Sequence, residues 1–378
     1  MTSYCCSTVD CVQAISAEIN KTSVVDVSTV MTLDDIINRL ALKKIIYIGE
    51  VHDQYAHHLT QLEIIKAMYD KNTRITIAME MFDRDYQPII DNYINDKISE
   101  REFLKDSRYF KTWGYDYNLY RNIILFAKTN NIPIIALNIE HCLVDKVSKT
   151  GLVSLTDAER DKVPNDIDLS DKEYSKRLKE IFNTHKRNQL FISFMEKDFD
   201  HNLRFSYFFE AQILWDEYMA ESIYLYLKDN IDRQIIVIAG NGHISYGSGI
   251  PNRVKRRYDA DYSIILNDEI VQKNIADFVL FPASVNIVES PKLMAVLVDE
   301  KSVVEQNGSV KVDRFPLESI AKKAGLKKGD YILSIDNTKI NTIEDVQLFL
   351  FFCKSGDKIK IKLLRNKNHY KNILLTLK

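Results

Sequence analysis

Four short apolar runs, each rich in β-branched residues and each followed by polar residues, dominate the pattern of the chain up to residue 240. They cover residues 45–49, 75–79, 132–137 and 235–240. Unbroken apolar runs of this length are typical of strands that are buried on both faces of a parallel sheet. Within residues 55–69, which follow the first run, Leu59, Leu62, Ile65 and Met68 recur at helical spacing. This alternation predicts an α/β fold, with a parallel sheet flanked by helices.

Two helical regions are longer than a simple crossover between parallel strands requires. They cover residues 83–131 and 157–232, and we expect at least one of them to be a helical insertion. Further strand-like runs follow at residues 262–266 and 278–281. Both belong, in this interpretation, to the same α/β domain.

The pattern changes after residues 282–291, which have the composition of a linker. Beyond them the apolar runs are short, broken by turn residues and interrupted by one helical stretch, which predicts a small β-rich domain. The runs lie at residues 293–298, 331–335, 346–352 and 358–364. We therefore expect three parts, namely an N-terminal segment at 1–30, an α/β domain at 31–285 and a second domain at 291–378.

Composition excludes several classes of protein. Of the 378 residues, 46% are hydrophobic and 28% are charged, which excludes extensive disorder. No window approaches the roughly 18 consecutive apolar residues of a transmembrane helix. The net charge of -2 gives no general basicity for binding nucleic acid. Five cysteines in a chain of this length do not make a disulfide framework.

Polar residues follow each of the four apolar runs. Because the carboxyl ends of parallel strands lie along one edge of a sheet, and ligands bind beside that edge, we expect these residues to meet there. They are Glu50, His52 and Asp53 after the first run, Glu80 after the second, Asn138, Glu140 and His141 after the third, and Asn241 and His243 after the fourth.

Two of these positions share the pattern Gly-x-x-His, which ends in His52 and His243. Two imidazoles with one carboxylate commonly bind zinc, non-haem iron or manganese, so we predict that His52, Glu80 and His243 form a metal site. Glu50 is a candidate fourth ligand, or a base that acts on a bound water. Asp53, His58 and Arg253 are candidates for a surrounding shell. A strand-end histidine taken alone is more often a hydrogen-bonding loop residue.

The motifs that carry these residues resemble the ChaN family of iron-regulated, haem-binding lipoproteins, which lies within the Tiki and TraB superfamily. The resemblance covers about residues 30–285. It rests on Gly-Glu-Val-His-Asp at 49–53 with His58 and Gln61, Ala-Met-Glu-Met-Phe at 78–82, Gln-x-x-Trp-Asp-x-x-Met-Ala at 212–220, and Gly-Asn-Gly-His and Gly-Ile-Pro-x-Arg between 240 and 253.

The resemblance implies a haem-binding protein that takes part in haem or iron uptake at the bacterial envelope, in the periplasm or at the outer membrane. The iron ligand itself does not carry over from the family. A tyrosine or a histidine can hold haem iron, and Tyr246, which lies just past His243, is our first candidate. His58 and Arg253 are further candidate cofactor-binding residues. The wider superfamily implies an alternative, a metal-dependent hydrolase that uses the predicted His52, Glu80 and His243 site with Glu50 as base. A third hypothesis is a scaffold whose site is no longer used.

From the resemblance we also expect a lipid anchor and a homodimer as two possible properties of the protein. The first twenty residues lack the basic start and apolar centre of a secretory signal. Cys5, Cys6 and Cys11 nevertheless crowd the N-terminus, as they would at the processed end of a lipoprotein.

The second domain resembles a PDZ domain of the kind found in bacterial proteases, through residues 320–336. Such domains add an extended peptide to a sheet edge and bind its terminal carboxylate on backbone N–H groups, which implies a protein or peptide partner. In this chain, Leu293, Met294 and Ala295 stand where a glycine-containing carboxylate loop is expected. We expect Ala295 to restrict the backbone of that loop.

Overall fold

The computed structural model of the protein describes residues 30–188, 201–287, 289–300, 310–366 and 369–378. The expected N-terminal segment, with its three cysteines, lies outside these ranges apart from residue 30. None of the described helices is both long and apolar enough to cross a membrane.

The N-terminal domain is built on a six-stranded, wholly parallel sheet, as the apolar runs predicted. Its strand order is β3-β2-β4-β1-β5-β6. Every residue of β1, β2 and β4 is buried, which explains why these strands are continuous apolar runs in the sequence. The strands are β1 (Ile45–Glu50), β2 (Ile75–Asp83), β3 (Ile134–Asn138), β4 (Gln234–Gly240), β5 (Tyr262–Asn267) and β6 (Phe278–Leu280).

Helices cover both faces of this sheet, and several short ones fill the region between β2 and β3. The described helices are α1 (Leu33–Leu40), α2 (Tyr55–Lys71), α3 (Gln87–Ile94), α4 (Glu100–Asp106), α5 (Tyr109–Thr112), α6 (Asn118–Thr129), α7 (His141–Thr150), α8 (Asp157–Arg160), α9 (Lys172–Asn188), α10 (His201–Asp229), α11 (Asn241–Ile244) and α12 (Ile250–Arg257).

The C-terminal domain has a separate antiparallel sheet, as its broken pattern predicted. Its strand order is β12-β11-β9-β8-β7, and β10 pairs with β9. The strands are β7 (Val296–Asp299), β8 (Val310–Arg314), β9 (Tyr331–Ile335), β10 (Thr338–Lys339), β11 (Lys358–Arg365) and β12 (His369–Thr376). Two helices, α13 (Ile320–Lys323) and α14 (Ile343–Phe351), complete it.

The loop before β7 differs from the sequence expectation. Ala295 was expected to restrict the backbone there, but the left-handed residue is Met294, with φ of 54°. Its carbonyl accepts a hydrogen bond of 2.6 Å from the Ser319 hydroxyl, which stabilises the loop in this shape. The Cβ of Ala295 is therefore no obstacle to the conformation of this loop.

The two domains pack against each other through aromatic residues. Phe351, at the end of α14, lies 5.3 Å from the ring of Tyr117 and 6.1 Å from the ring of Phe110. Leu348 and Phe351 belong to the same apolar cluster as one face of the parallel sheet. The C-terminal domain is thereby joined to the hydrophobic core of the N-terminal domain.

Candidate functional site

The strand order places the ends of β2, β4 and β1 next to one another. Glu50 is in register with Gly240, and β2 lies on the other side of β4. A Cβ on Gly240 would lie 3.1 Å from His52 Nε2 and 3.8 Å from Glu80 Oε2. Glycine at this position therefore lets His52 and Glu80 converge over the end of β4.

His52 is held by a carboxylate beneath it. Its Nδ1 lies 2.8 Å from Glu50 Oε1, and its side chain keeps 24% of its surface exposed. Burial alone would lower the pKa of His52, but the hydrogen bond to Glu50 and the charges of Glu80 and Glu50 outweigh it and raise the pKa. The imidazole is thus fixed through Nδ1, and its Nε2 is on the side of Gly240 and Glu80.

Glu50 is fully buried and heavily hydrogen-bonded. Its carboxylate accepts hydrogen bonds from the Tyr120 hydroxyl at 2.7 Å and from Gln61 Nε2 at 2.8 Å. Burial would raise the pKa of Glu50, but the charges of His58 and His52 and their hydrogen bonds lower it to about 2. This environment makes Glu50 a residue that positions His52. Its role as a base stays a prediction.

His243 is held in the same way by a carboxylate from another element. Its Nδ1 lies 2.6 Å from Asp216 Oδ1, on α10, and its Nε2 lies 3.5 Å from Glu80 Oε1. Burial lowers the pKa of His243, but the charges of Glu80 and Asp216 outweigh it and raise the pKa to about 9. Asp216 also accepts a hydrogen bond of 2.8 Å from the Tyr174 hydroxyl.

The predicted set of His52, Glu80 and His243 is thus gathered at one edge of the sheet. In both histidines Nδ1 is bound to a carboxylate, an arrangement that is common behind metal-bound imidazoles. However, Glu80 Oε2 accepts the backbone N–H of Gly240 at 2.7 Å. Within the described ranges, no group of three or more His, Cys, Asp or Glu side chains is arranged to hold a metal ion. The metal site stays a prediction.

His58 and Arg253, two of the expected cofactor-binding residues, are buried, with 2% and 3% of their surfaces exposed. His58 Nε2 lies 3.0 Å from the carbonyl oxygen of His52. Arg253 forms an ion pair of 3.2 Å with Glu217 and donates to the Gly249 carbonyl at 3.0 Å. Both side chains support the loops of the site from within the domain.

Tyr246, the expected iron ligand, lies in a short turn after His243, with φ of 61°. Its hydroxyl donates a hydrogen bond to Gln272, and the guanidinium of Arg177 lies 4.4 Å over its ring. The side chain is half-buried. Its role as an iron ligand stays a prediction.

The sequence reasoning missed four residues of this site, namely Trp113, Tyr115, Tyr120 and Asp216. The rings of Trp113 and Tyr115 lie 5.0 and 5.1 Å from the ring of His52. Asp216 could have been found, because it lies in the quoted Trp-Asp motif. The three aromatic residues come from the helical region between β2 and β3 and carry no local signal.

A cavity of about 540 Å³ opens beside these aromatic rings, between the two domains. Trp113, Tyr115 and Asp53 line it from the N-terminal domain. Leu293, Leu297 and Leu350 are among the residues that line it from the C-terminal domain. The rings of Trp113 and Tyr115 therefore contact His52 and also form part of the cavity wall.

Two family models match the chain. Residues 36–254 match the family described as "Haem-binding uptake, Tiki superfamily, ChaN", and residues 301–374 match the PDZ domain model. No curated protein matches the chain.

Among solved structures, "Cofacial heme binding to ChaN of Campylobacter jejuni" is 18% identical, with a TM-score of 0.54, and the match covers 67% of this chain and 93% of that chain. The HtrA-type protease AlgW with decapeptide is 22% identical, with a TM-score of 0.22, over 23% of this chain and 29% of that chain. An erythromycin esterase EreC mutant in its open conformation is 13% identical, with a TM-score of 0.37, over 75% and 79% of the two chains. The first likeness shows the fold; the other two carry no argument at these scores.

Proposed function

We propose, because this chain belongs to the ChaN haem-binding uptake family of the Tiki superfamily, that its N-terminal domain binds haem at the edge of the parallel sheet, with His52 as an iron ligand. The observation that carries the proposal is that His52 is both held in place and accessible. Its Nδ1 is held by Glu50, and its ring remains partly exposed. Haem would supply an iron atom to which an imidazole nitrogen can bind.

The surroundings of His52 suit a planar apolar group. Trp113 and Tyr115 flank its ring, and aromatic side chains offer flat apolar surfaces for packing. Glu50, hydrogen-bonded to His52 Nδ1, keeps Nε2 free to act as a ligand. Tyr246 is the second candidate for an iron ligand, because it lies just past His243 in the sequence.

A titration of the purified protein with haemin tests the proposal. We expect a shifted Soret band, and in His52→Ala we expect an affinity at least about tenfold lower, which is about 1.4 kcal/mol. His141→Ala is the matched control, because His141 is an exposed histidine just beyond β3. Equal affinities in His52→Ala and the wild type would overturn the assignment of His52. The same titration of Tyr246→Phe tests the second candidate.

We propose further that the protein serves haem or iron uptake at the bacterial envelope, in the periplasm or anchored by lipid at the outer membrane. The description of its family as a haem-binding uptake family supports this role. Growth of a deletion strain with haem as the only iron source tests uptake, and fractionation of the native host tests location. A homodimer is also proposed, and light scattering of the purified protein with and without haemin tests it.

The second candidate function is that of a metal-dependent hydrolase. It is supported by the two carboxylate–imidazole pairs, Glu50 with His52 and Asp216 with His243, on either side of Glu80. The donor chemistry suits zinc, iron or manganese. Elemental analysis of protein from the native host tests this candidate. A His52→Ala, His243→Ala variant that retains the metal content of the wild type would remove the site.

For the C-terminal domain, we propose binding of a polypeptide that ends in a free carboxylate. The match to the PDZ domain model supports this role, since such domains add a peptide strand to a sheet edge. In the described part of the sheet, β7 is an edge strand. Under the scaffold hypothesis, peptide binding is the only function of the protein. Haem binding by the N-terminal domain would contradict that hypothesis.

A further inference from the structure

The interdomain cavity includes a groove of the C-terminal domain, which lies between β7 and α14, and it is closed on the other side by residues of the N-terminal domain. On one side lie β7 and α14, with Leu297, Val346 and Leu350 facing the cavity. On the other side lies the segment of residues 113–116, which we call the aromatic wall. The groove is therefore bounded by a surface that the C-terminal domain itself does not supply.

The aromatic wall is attached to the loop that precedes β7. Asp116 accepts hydrogen bonds from the backbone N–H of Ser290 at 2.9 Å and from its hydroxyl at 3.3 Å. Ser290 also receives a hydrogen bond of 3.0 Å from Asn118. Because Ser290 is close in sequence to the loop of residues 292–295, the wall lies at the loop end of the groove.

The same loop has backbone N–H groups that bond to no acceptor within the described part of the chain. No described residue accepts a hydrogen bond from the backbone N–H of Leu293, Met294 or Ala295. Successive backbone N–H groups that face a cavity make a binding place for a carboxylate. Lys292 supplies positive charge beside the loop, although it forms an ion pair with Glu289.

The rest of the groove is apolar. Ile343, Val346 and Leu350 line it along α14, and Leu297 lines it along β7. At one end lie N–H groups that no described residue accepts, and apolar side chains line the walls. This arrangement matches a polypeptide with a terminal carboxylate and an apolar last residue. The edge strand β7 can pair with the backbone of that residue and of those before it.

We propose that the aromatic wall is part of this peptide site, and that the last side chain of the bound peptide packs between α14 and the rings of Trp113 and Tyr115. The two rings then set the size of the residue that is accepted. This inference rests on the peptide-binding function proposed for the C-terminal domain and adds a specificity determinant from the other domain.

Peptide binding to the full-length protein tests the inference. The probes are fluorescein-labelled hexapeptides that differ only in the last residue, which is Ala, Val, Leu or Phe, each made with a free carboxylate and with a carboxamide. Fluorescence anisotropy gives each Kd. We expect the carboxamide forms to bind at least about tenfold more weakly, which is about 1.4 kcal/mol.

The decisive variant is Tyr115→Ala. Tyr115 is 37% exposed, so its truncation leaves the core intact, and it enlarges the end of the groove. We expect the ratio of Kd for Ala-ending to Kd for Phe-ending peptides to rise about fivefold or more in this variant. Tyr370→Ala is the matched control, because Tyr370 is 60% exposed and lies on β12, at the opposite edge of the same sheet.

The outcomes separate the inference from the function on which it rests. If the wild type binds none of the peptides, the peptide-binding function fails, and the inference fails with it. If the wild type binds and Tyr115→Ala keeps the same order of preference, only the role of the aromatic wall is overturned. Equal binding of carboxamide and carboxylate forms would overturn the role of the loop. Circular dichroism confirms that each variant is folded.

Discussion

Each imidazole of the candidate site is oriented by a carboxylate from a different part of the chain. For His52 this is Glu50, two residues earlier, which the sequence pattern placed at the site as a candidate ligand or base but not as the partner of His52. For His243 it is Asp216 on α10, 27 residues away along the chain. Motif spacing predicted which imidazoles converge, but it did not predict Asp216 as a partner, because that contact depends on how α10 packs on the sheet.

The Tyr120 hydroxyl is a sensitive point of this arrangement, because it donates to the buried and charged Glu50. We expect Tyr120→Phe to lower the free energy of unfolding by about 2 kcal/mol, the usual scale for a lost hydrogen bond to a charged group. Urea denaturation measures the loss. Tyr226→Phe is the control, because its hydroxyl bonds the neutral Thr76 at 3.0 Å; a loss as large as that of Tyr120→Phe would contradict the prediction.

Asp83 gives a prediction about pH. Burial, followed by the charges of Asp85 and Glu140, raises its pKa from 3.8 to about 7. A raised carboxyl pKa in the folded state contributes stability below pH 4 that is lost as the pH rises through about 7. We therefore expect Asp83→Asn to gain stability over the wild type across this range, by up to roughly 4 kcal/mol above pH 8.

Urea denaturation at a series of pH values measures this difference. Asp259→Asn is the control, because the side chain of Asp259 is 88% exposed, and its profile should run parallel to that of the wild type. A constant difference between Asp83→Asn and the wild type at every pH would contradict the prediction.

At the level of elements, the strands and a long helical region between β2 and β3 were predictable, but the bounds of the short helices within that region were not. The strands are buried apolar runs, so their periodicity is enough to place them. β2 runs on to Asp83, past the end of its apolar run, because Glu80 and Asp83 are themselves buried. Trp113 and Tyr115 lie in the loop between α5 and α6, and the position of this loop depends on contacts with distant elements, which no local pattern records.

The turn after β4 depends on Gly240. Its φ of -59° suits any residue, so a substitution there acts through space alone. A Cβ would lie 3.0 Å from His52 Cε1, so we expect Gly240→Ala to displace the imidazole and to lower haem affinity several-fold while the fold is kept. Haemin titration and thermal melting measure the two effects.

Gly242→Ala is the matched control for this prediction. It lies two residues further along, and a Cβ there would meet nothing within 4 Å. Its haem affinity should equal that of the wild type. If Gly240→Ala also kept wild-type affinity, the packing of His52 over the end of β4 would not matter for the ligand.

At the level of the whole molecule, Phe351 is one of the residues through which the two domains pack against each other. This residue is 9% exposed and packs on Tyr117 and Phe110. We expect Phe351→Ala to lower the free energy of unfolding by about 3 kcal/mol and to split a single calorimetric transition into two, one for each domain. Phe281→Ala is the control, because Phe281 is 67% exposed; the same splitting there would contradict the prediction.

The division into two sheets was predictable because the pattern of apolar runs changes near residue 285. The arrangement of the two domains relative to each other was not predictable, because it depends on contacts such as that between Asp116 and Ser290, which lie 174 residues apart. The sequence carries no periodicity that reports such a contact.

Trp113 and Tyr115 have His52 on one side and the interdomain cavity on the other. A ligand that displaces either ring from the His52 side changes the binding affinity of the cavity side. Because such coupling is reciprocal, a ligand in the cavity changes the affinity of the His52 side by the same factor. On the two proposals made above, a peptide in the interdomain cavity would change the affinity for haem, and bound haem would change the affinity for the peptide by the same factor.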